Sequence, residues 1–437
     1  MEWWLAAVLI FGGLILMFFV GMPIAFSFMF MNVVGVVVFW GGEPGLRLLI
    51  DSIYGSVTNS TYLAIPLFIL MGDVLLRSGV GIRAIDILDK WLGSIPGRLA
   101  LLSVAAGVLF GALSGSSMAS TALFGKTLTP EMEKRGYKKT LSLGAVMAAG
   151  GLDVMIPPSG LSVLLGALAQ ISVAGILIGS IIPGLIMAVL YASYIIIRCL
   201  LQPSIAPSYK IAPMPLFERI KATVKYALPT CLIIFLVTGL ILFGVATPSE
   251  AAALGCLGAF VVAGLYGKLT WDVVKESVKG STEVFGMMLM IITGAMAFGQ
   301  ILAFSGASTV LINKLMFPAS PIITIIITQA ILFFLGTFMG PVSMMMISLP
   351  IFMPLISALG FDPVWFGVVM LLNLAISDLS PPVGSTLFVM QAVAPPGTTI
   401  GDIWRASIPF IGLNLIVLVL MIAFPMTVLW LPKLTLR

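Results

Sequence analysis

Long apolar stretches separated by short polar ones follow one another along the whole chain. Runs of about 18 or more apolar residues, the length that a helix needs to cross the core of a bilayer, recur from end to end. The pattern predicts an all-α polytopic membrane protein. The ten predicted full crossings are residues 3–20, 24–40, 61–77, 140–168, 171–197, 227–245, 250–267, 283–304, 363–391 and 407–431.

Two further apolar regions, residues 99–125 and 322–353, are interrupted near their centres by Gly, Ser or Pro. A helix of about 15 residues covers only about 22 Å, less than the hydrocarbon thickness of about 30 Å. Each region is therefore predicted to be a re-entrant helical hairpin. The crossings 140–168 and 363–391 contain paired prolines, which remove backbone donors, so both are predicted to be broken transmembrane helices.

Five glycine and proline positions recur at one constant offset. Pro130 and Pro354 are 224 residues apart (354 − 130), as are Pro157 and Pro381 (381 − 157). This spacing indicates an internal repeat. It divides the chain into N-terminal scaffold helices (1–60), repeat 1 (61–199), a linker with further scaffold helices (200–282) and repeat 2 (283–437).

The two repeats differ in charge at equivalent loops. Residues 126–139 contain five Lys or Arg, whereas residues 350–363 contain none. Because basic loops stay in the cytoplasm, the copies are predicted to face opposite sides of the membrane, as in the inverted repeats of secondary transporters. Both termini are then expected outside, and residues 80–98 could form a helix along the inner surface. Gene duplication in another kind of membrane protein, such as a channel, is the alternative.

The amino-acid composition excludes several kinds of functional site. The chain is 60% hydrophobic and 9% charged, has a mean hydropathy of +1.18 and contains no histidine. Haem or zinc ligation by His and proton relays through His are thereby excluded. The three cysteines form no C-x-x-C motif, and the net charge of +5 lies in short loops, where it sets orientation and gives no sign of nucleic-acid binding.

Polar residues concentrate at the hairpin tips, G-A-L-S-G-S-S (111–117) and L-G-T-F-M-G-P-V-S (335–343), and at the breaks of the spans that follow. Hydroxyls and freed carbonyls are hard oxygen ligands suited to a small cation, and half-helix N-termini suit an anion. Each break also contains an acid, Asp153 or Asp378. Acids inside a span are costly and usually functional, although each could instead cap the following half-helix.

Several motifs occur in an order that resembles the large membrane subunit of TRAP (tripartite ATP-independent periplasmic) transporters. They are L-S-G-S-S, P-E-M-E-K-R-G-Y, I-P-P-S, I-I-P-G, A-T-P-S-E-A-A-A and S-P-P-V-G-S-T-L-F-V. The resemblance implies the ion transporter superfamily fold and an elevator mechanism in a bacterial inner membrane. It also implies sodium-coupled uptake of a small organic acid that a periplasmic binding protein delivers. A small four-helix membrane subunit is expected as a partner outside this chain.

The resemblance and the polar positions together define three predicted residue sets. The first sodium site comprises Ser114, Gly115, Ser116, Ser117, Gly150 and Gly151. The second comprises Thr337, Gly340, Ser343, Asp378 and Ser380. The substrate set comprises Ser116, Asp153, Pro157, Ser159, Pro341, Pro381, Gly384 and Ser385.

One position departs from the family. Many members carry an Asp at the second hairpin tip, where this chain has Gly340. Asp378 is therefore the candidate to replace that carboxylate.

Alternative functions remain open from the residues alone. A standalone dicarboxylate carrier of the same superfamily would need no binding protein. An intramembrane enzyme would need a nucleophile with a base, or a metal set, and the lack of His disfavours it. Glu250, in T-P-S-E, fits a helix-capping box with Thr247, with a substrate or partner contact as the alternative.

Overall fold

The computed structural model describes residues 5–6, 8–93, 95–114, 116–207, 215–306, 310 and 320–436, and for residues 19 and 112–114 the backbone alone. Within this part there are 21 α-helices and no β-strand, which confirms the predicted all-α class.

The first ten helices cover the N-terminal region and the first repeat. They are α1 (Gly13–Phe19), α2 (Ile24–Phe39), α3 (Glu43–Val57), α4 (Ala64–Arg77), α5 (Val80–Trp91), α6 (Arg98–Ser114), α7 (Ser117–Lys134), α8 (Lys139–Met155), α9 (Gly160–Ala169) and α10 (Val173–Gly179). Short 3₁₀ or π turns precede α1 and α4. The segment 80–98 contains a helix, α5, over Val80–Trp91, and its place along the inner surface stays a prediction.

The remaining helices cover the end of the first repeat, the linker and the second repeat. They are α11 (Ile181–Leu201), α12 (Leu216–Ala222), α13 (Leu228–Leu242), α14 (Pro248–Leu265), α15 (Trp271–Phe304), α16 (Pro321–Phe338), α17 (Pro341–Ala358), α18 (Pro363–Asp378), α19 (Ser385–Val393), α20 (Ile400–Ala423) and α21 (Met426–Thr435). A π-helical turn, Thr223–Ala227, joins α12 to α13.

Eight helical stretches among the described residues are long and apolar enough to cross a membrane, or nine if the bent pair α8–α9 counts as one span. Six of them match predicted crossings, and the bent pair matches the predicted broken helix 140–168. The second predicted crossing is a helix of only 16 residues, α2. Helix α15 has 34 residues, about 51 Å. It therefore continues through most of the loop expected between the crossings 250–267 and 283–304, and through the predicted boundary between the linker and repeat 2 at residue 282.

The two predicted hairpins are longer than expected. Helices α6 and α7 contain 17 and 18 residues, and α16 and α17 contain 18 each. A helix of 18 residues spans about 27 Å, close to the hydrocarbon thickness. Helix length therefore no longer distinguishes a re-entrant hairpin from two crossings, and the re-entrant arrangement stays a prediction. We call α6–α7 helix pair 1 and α16–α17 helix pair 2.

The repeat is visible in the packing. Both helices of pair 1 contact α8, and both helices of pair 2 contact α18. Helices α8 and α18 also contact each other, so the two repeats meet at the centre. Every residue from Leu141 to Met155 of α8 and from Trp365 to Asp378 of α18 is buried. These two helices form the core of the protein, and each carries one of the two acids, Asp153 or Asp378, near its C-terminal end.

Glycines set the closeness of this packing. A Cβ built on Gly107 of α6 would lie 2.6 Å from the carbonyl oxygen of Ala149 on α8. A Cβ on Gly144 of α8 would lie 2.4 Å from the carbonyl oxygen of Ala406 on α20. The three helices therefore approach backbone to backbone, at distances that a larger side chain would prevent.

Helix α14 begins with the predicted capping box. The Thr247 hydroxyl accepts a hydrogen bond from the Glu250 backbone N–H, and the Thr247 backbone N–H donates to the Glu250 carboxylate at 2.8 Å. Pro248 occupies the first helical turn. The capping interpretation of Glu250 is confirmed.

Candidate functional site

The first broken span changes direction at its paired prolines. Helix α8 ends at Met155, α9 begins at Gly160, and the two axes differ by 43°. The Pro157–Pro158 bond is cis. Ser159 caps α9 because its hydroxyl faces the Ser162 backbone N–H at 3.5 Å. We call residues 156–159 break 1.

The second broken span repeats this arrangement. Helix α18 ends at Asp378, α19 begins at Ser385, and the Pro381–Pro382 bond is also cis. Residues 379–384, which we call break 2, place the Asp378 carbonyl and Gly384 in contact: a Cβ on Gly384 would lie 2.4 Å from that oxygen. Gly384 thus shapes the break, as its place in the motif predicts.

The tips of the two helix pairs are turns between helices. In tip 1, Ser116 caps α7, and its hydroxyl accepts a hydrogen bond from the Ala119 N–H at 3.4 Å. The side chain of Ser114 and the whole of Gly115 lie outside the described residues. In tip 2, Gly340 precedes Pro341 at the start of α17.

Two buried aspartates meet the start of α7. The Ser117 hydroxyl donates to Asp378 Oδ2 at 2.8 Å, and the Ser385 hydroxyl donates to Oδ1 of the same carboxylate. One turn further along α7, the Ser120 hydroxyl donates to Asp153 Oδ2. Asp153 and Asp378 are 1% and 5% exposed. One face of α7 therefore contacts an acid from each repeat.

Asp378 also lies at the start of α19, since the Ser385 backbone N–H faces its carboxylate. The capping role considered from the sequence is thus present, together with a bond to helix pair 1. Asp378 forms no ion pair with any basic side chain of the described residues. A buried carboxylate without a cationic partner favours binding of a metal ion or a proton.

The hydroxyls of Ser120 and Thr121 also belong to this region, and neither residue was singled out from the sequence. The Thr121 hydroxyl is fully buried and has no hydrogen-bond partner within the described part of the chain. A Cβ on Gly150 would lie 2.3 Å from it and 2.8 Å from the Ser117 carbonyl oxygen. The periodicity of α7 could have indicated Ser120 and Thr121, because they lie one turn after Ser116 and Ser117.

The residues predicted for the second sodium site are more dispersed. The Thr337 hydroxyl donates to the Phe333 carbonyl, and the Ser380 hydroxyl donates to the Ile376 carbonyl, so both bond within their own helical segment. Gly340 and Ser343 line a groove beside the end of α1 and the start of α2. Asp378 is bonded to Ser117, which belongs to the first predicted set.

A central cavity of about 360 Å³ lies where the tips, break 1 and two other helices meet. Tip 1 contributes Ser116 and Ser117, break 1 contributes Pro158, and tip 2 contributes Pro341. The remaining lining residues are Phe68, Ile69, Asp73, Leu76, Met118, Ala119, Gly160, Leu161, Val284, Met287, Met288 and Val342.

The central cavity has one charged side chain in its lining. Asp73 pairs with Arg77 of the same helix, with 3.2 Å between Asp73 Oδ2 and Arg77 Nε. A Cβ on Gly280 of α15 would lie 2.9 Å from Asp73 Oδ2. The lining therefore combines the hydroxyls of Ser116 and Ser117 with the carboxylate of Asp73 among mostly apolar side chains.

The predicted substrate set is only partly gathered at this cavity. Ser116 and Pro341 line it. Asp153, Pro157 and Ser159 are buried behind the lining, and Gly384 and Ser385 lie beside Asp378 in break 2. Pro381 is half-buried in that break.

A multi-span helical protein with two broken helices, buried acids and a cavity between its repeats has the architecture that is typical of membrane transporters. Residues 11–427 match the family model described as the Tripartite ATP-independent periplasmic transporter, DctM component. The chain therefore belongs to the TRAP transporter large-permease family, as predicted. Membership implies a small membrane subunit and a periplasmic binding protein as partners.

Relatives with known names cover most of the chain. The C4-dicarboxylate TRAP transporter large permease protein DctM of Pseudomonas aeruginosa is 31% identical over 89% of this chain and 90% of its own length. The sialic acid TRAP transporter large permease protein SiaM of Vibrio cholerae is 29% identical over 97% and 98%. The isethionate TRAP transporter permease protein DctMQ of Oleidesulfovibrio alaskensis is 32% identical over 94% of this chain and 64% of its own length.

Among solved structures, the crystal structure of the Alcanivorax borkumensis YdaH transporter superposes with a TM-score of 0.62. The two chains are 16% identical, over 87% of this chain and 88% of the other. The likeness concerns the fold.

Proposed function

We propose that this chain is the membrane subunit of a secondary active transporter that couples inward sodium flow to uptake of a small organic acid. A periplasmic binding protein delivers the acid, and the small membrane subunit completes the permease. The observation that carries the proposal is the cluster of Ser117, Asp378 and Ser385. It combines hydroxyls with a buried carboxylate that has no cationic partner among the described residues.

Sodium fits the chemistry of this cluster. Carboxylate, hydroxyl and carbonyl oxygens are ligands that hard cations prefer. The fully buried hydroxyl of Thr121 and the carbonyl of Ser117 lie together beside Gly150, which supports an oxygen site on the same turn of α7. The ligand sets remain those predicted, with Thr121 and Ser120 added to the first.

The central cavity supports binding of the organic acid. It adjoins the cap residue of α7, where the helix dipole favours negative charge, and the negative charge of Asp73 in its lining is balanced by the ion pair with Arg77. The three relatives named above are transporters of C4-dicarboxylate, isethionate and sialic acid by name. We therefore propose an anionic substrate without choosing among these acids.

An elevator motion suits the packing. Helices α8 and α18 pack against each other and against the two helix pairs, and the Ser117 hydroxyl bonds pair 1 to the end of α18. These elements would move together, carrying substrate and ion, while the other helices hold position with the small subunit.

Transport in proteoliposomes tests the proposal. The chain is reconstituted with its small subunit, the binding protein is added outside, and radiolabelled acids are supplied under an inward sodium gradient. Uptake is expected only when both the gradient and the binding protein are present.

Full uptake in sodium-free buffer under a proton gradient would contradict sodium coupling. Full uptake without the binding protein would favour the standalone carrier instead.

A further inference from the structure

A second polar pocket lies away from the transport site. It has a volume of about 140 Å³ and is formed by the start of α8, the end of α11 and the start of α20. Two arginines, Arg198 and Arg405, line it together with Thr140 and Tyr194. We call it the two-arginine pocket.

Neither arginine forms a salt bridge within the described part of the protein, although the charge of Arg405 acts on Asp402 at longer range. Arg198 and Arg405 take part in no hydrogen bond or ion pair there, whereas Arg47, Arg77, Arg98 and Arg135 are each paired with an acid. The nearest acid on these elements, Asp402, is bonded to the Thr399 N–H and hydroxyl at 3.0 and 2.9 Å. Lys139 adds a further positive charge nearby.

The backbone adds to this charge. Thr140 lies in the first turn of α8, whose unbonded N–H groups and dipole favour an anion. A guanidinium presents a planar fork that matches two phosphate oxygens. The pocket combines two guanidinium groups, two hydroxyls and a helix N-terminus. Such a combination suits recognition of a phosphate group.

The position of the pocket points to a lipid as the source of that phosphate. Strongly exposed apolar side chains flank both arginines: Ile197 and Leu201 on α11, and Ile408 on α20, are 56%, 76% and 59% exposed. Basic loops predict that this end of the protein faces the cytoplasm, where the leaflet carries anionic lipids. Acyl chains could follow the apolar side chains while the headgroup occupies the pocket.

We propose that the two-arginine pocket binds the phosphate-bearing headgroup of an anionic phospholipid. The lipid would bridge repeat 1, through α8 and α11, to α20 of repeat 2. This inference is independent of the transported substrate and of sodium.

Lipid binding to the purified full-length chain tests the proposal. Native mass spectrometry is used to titrate phosphatidylglycerol and phosphatidylcholine with identical acyl chains. Phosphatidylglycerol is expected to bind preferentially. The variant R198Q/R405Q is expected to weaken that binding about thirtyfold, or about fivefold for each arginine.

A matched control removes two charges from the same predicted face. Lys126 and Lys134 are exposed and form no ion pair with a described residue, so K126Q/K134Q should leave the binding unchanged. Arg405→Gln alone gives a second test if the double variant does not fold.

Equal binding of phosphatidylglycerol by the wild type and R198Q/R405Q would overturn the proposal. So would an equal loss in K126Q/K134Q. An additional arm uses inorganic phosphate as a competitor: if phosphate alone binds as tightly as the lipid, the pocket serves free phosphate and the lipid assignment is wrong.

Discussion

The tips of the two helix pairs derive from equivalent parts of the repeat, and the packing around them differs at the turn itself. Around tip 1, added carbon atoms would collide at once: a Cβ on Gly111 would lie 2.7 Å from Asp153 Oδ1, and one on Gly150 would lie 2.3 Å from the Thr121 hydroxyl. At tip 2, a Cβ on Gly340 would have no neighbouring group within 4 Å.

The two breaks also differ in how far they are buried. Break 1 is buried throughout, whereas Pro382 and Val383 of break 2 are exposed. The surroundings of tip 1 and break 1, which we call the closed half, are thus close-packed. The second copy, which we call the open half, is open only at Gly340, Pro382 and Val383, because a Cβ on Gly336 or Gly384 would collide there as well. We infer that the closed half holds its shape before ligand binding, while tip 2 has room to move when a ligand arrives.

The largest expected effect concerns orientation of the two halves. Cysteines replacing Lys138 and Asp362, in a background without Cys199, Cys231 and Cys256, should react with an impermeant maleimide from opposite sides of the membrane. Labelling of intact and inverted vesicles measures this. Reaction of both from one side would refute the inverted repeat.

Close packing of the first half predicts strong sensitivity at Gly150. Gly150→Ala should reduce uptake more than tenfold and lower the melting temperature, because an overpacked core costs about 1–3 kcal/mol. Uptake and thermal unfolding in detergent measure the two effects.

Gly151 is the matched control, since a Cβ there meets nothing within 4 Å. If Gly151→Ala is as damaging as Gly150→Ala, helix flexibility and not packing explains the loss.

The buried carboxylate that links the halves predicts an effect on sodium. Asp378→Asn keeps the size and most hydrogen bonds but removes the charge. It should raise the sodium concentration for half-maximal transport by about tenfold or more, or about 1.4 kcal/mol of binding. Sodium titration of uptake measures this.

Asp362→Asn is the comparison for Asp378→Asn, because Asp362 is an N-cap and Asn caps equally well. Unchanged sodium dependence in Asp378→Asn would mean that the carboxylate acts only as a helix cap.

The open half predicts the smallest effect. Gly340→Ala should change uptake by less than about twofold, since buried packing is not disturbed there. Gly336→Ala, one turn earlier, would place its Cβ 2.3 Å from the Ser377 hydroxyl and should be clearly worse. Comparable loss in both variants would show that tip 2 closes tightly during transport.

The sequence predicted the parts of the fold that depend on local pattern. Apolar length identified most spans, the paired prolines located both breaks within a few residues, and the T-P-S-E motif identified the Thr247–Glu250 cap. Each of these follows from neighbours in the chain, which is why periodicity and capping rules sufficed.

Contacts between distant residues escaped prediction. Ser117 and Asp378 are 261 residues apart, and no periodicity relates them, so the sequence did not predict the hydrogen bond between Asp378 and tip 1. Helix ends were also misjudged: α15 continues through residues 271–282 because charged residues such as Lys275 and Lys279 are good helix formers outside the bilayer.

The Ser117–Asp378 bond also has a consequence for biosynthesis. At about 5–20 residues per second, a ribosome needs about 13 to 50 seconds to add the 261 residues that separate the partners. Helix pair 1 and the first broken span, which are adjacent in sequence, can assemble in the membrane during that interval. The Ser117 hydroxyl must then rely on a carbonyl of its own segment or on water. Insertion of Asp378 into an already formed half would be a late step of maturation, and a chain truncated before it should still retain the packing around Gly150.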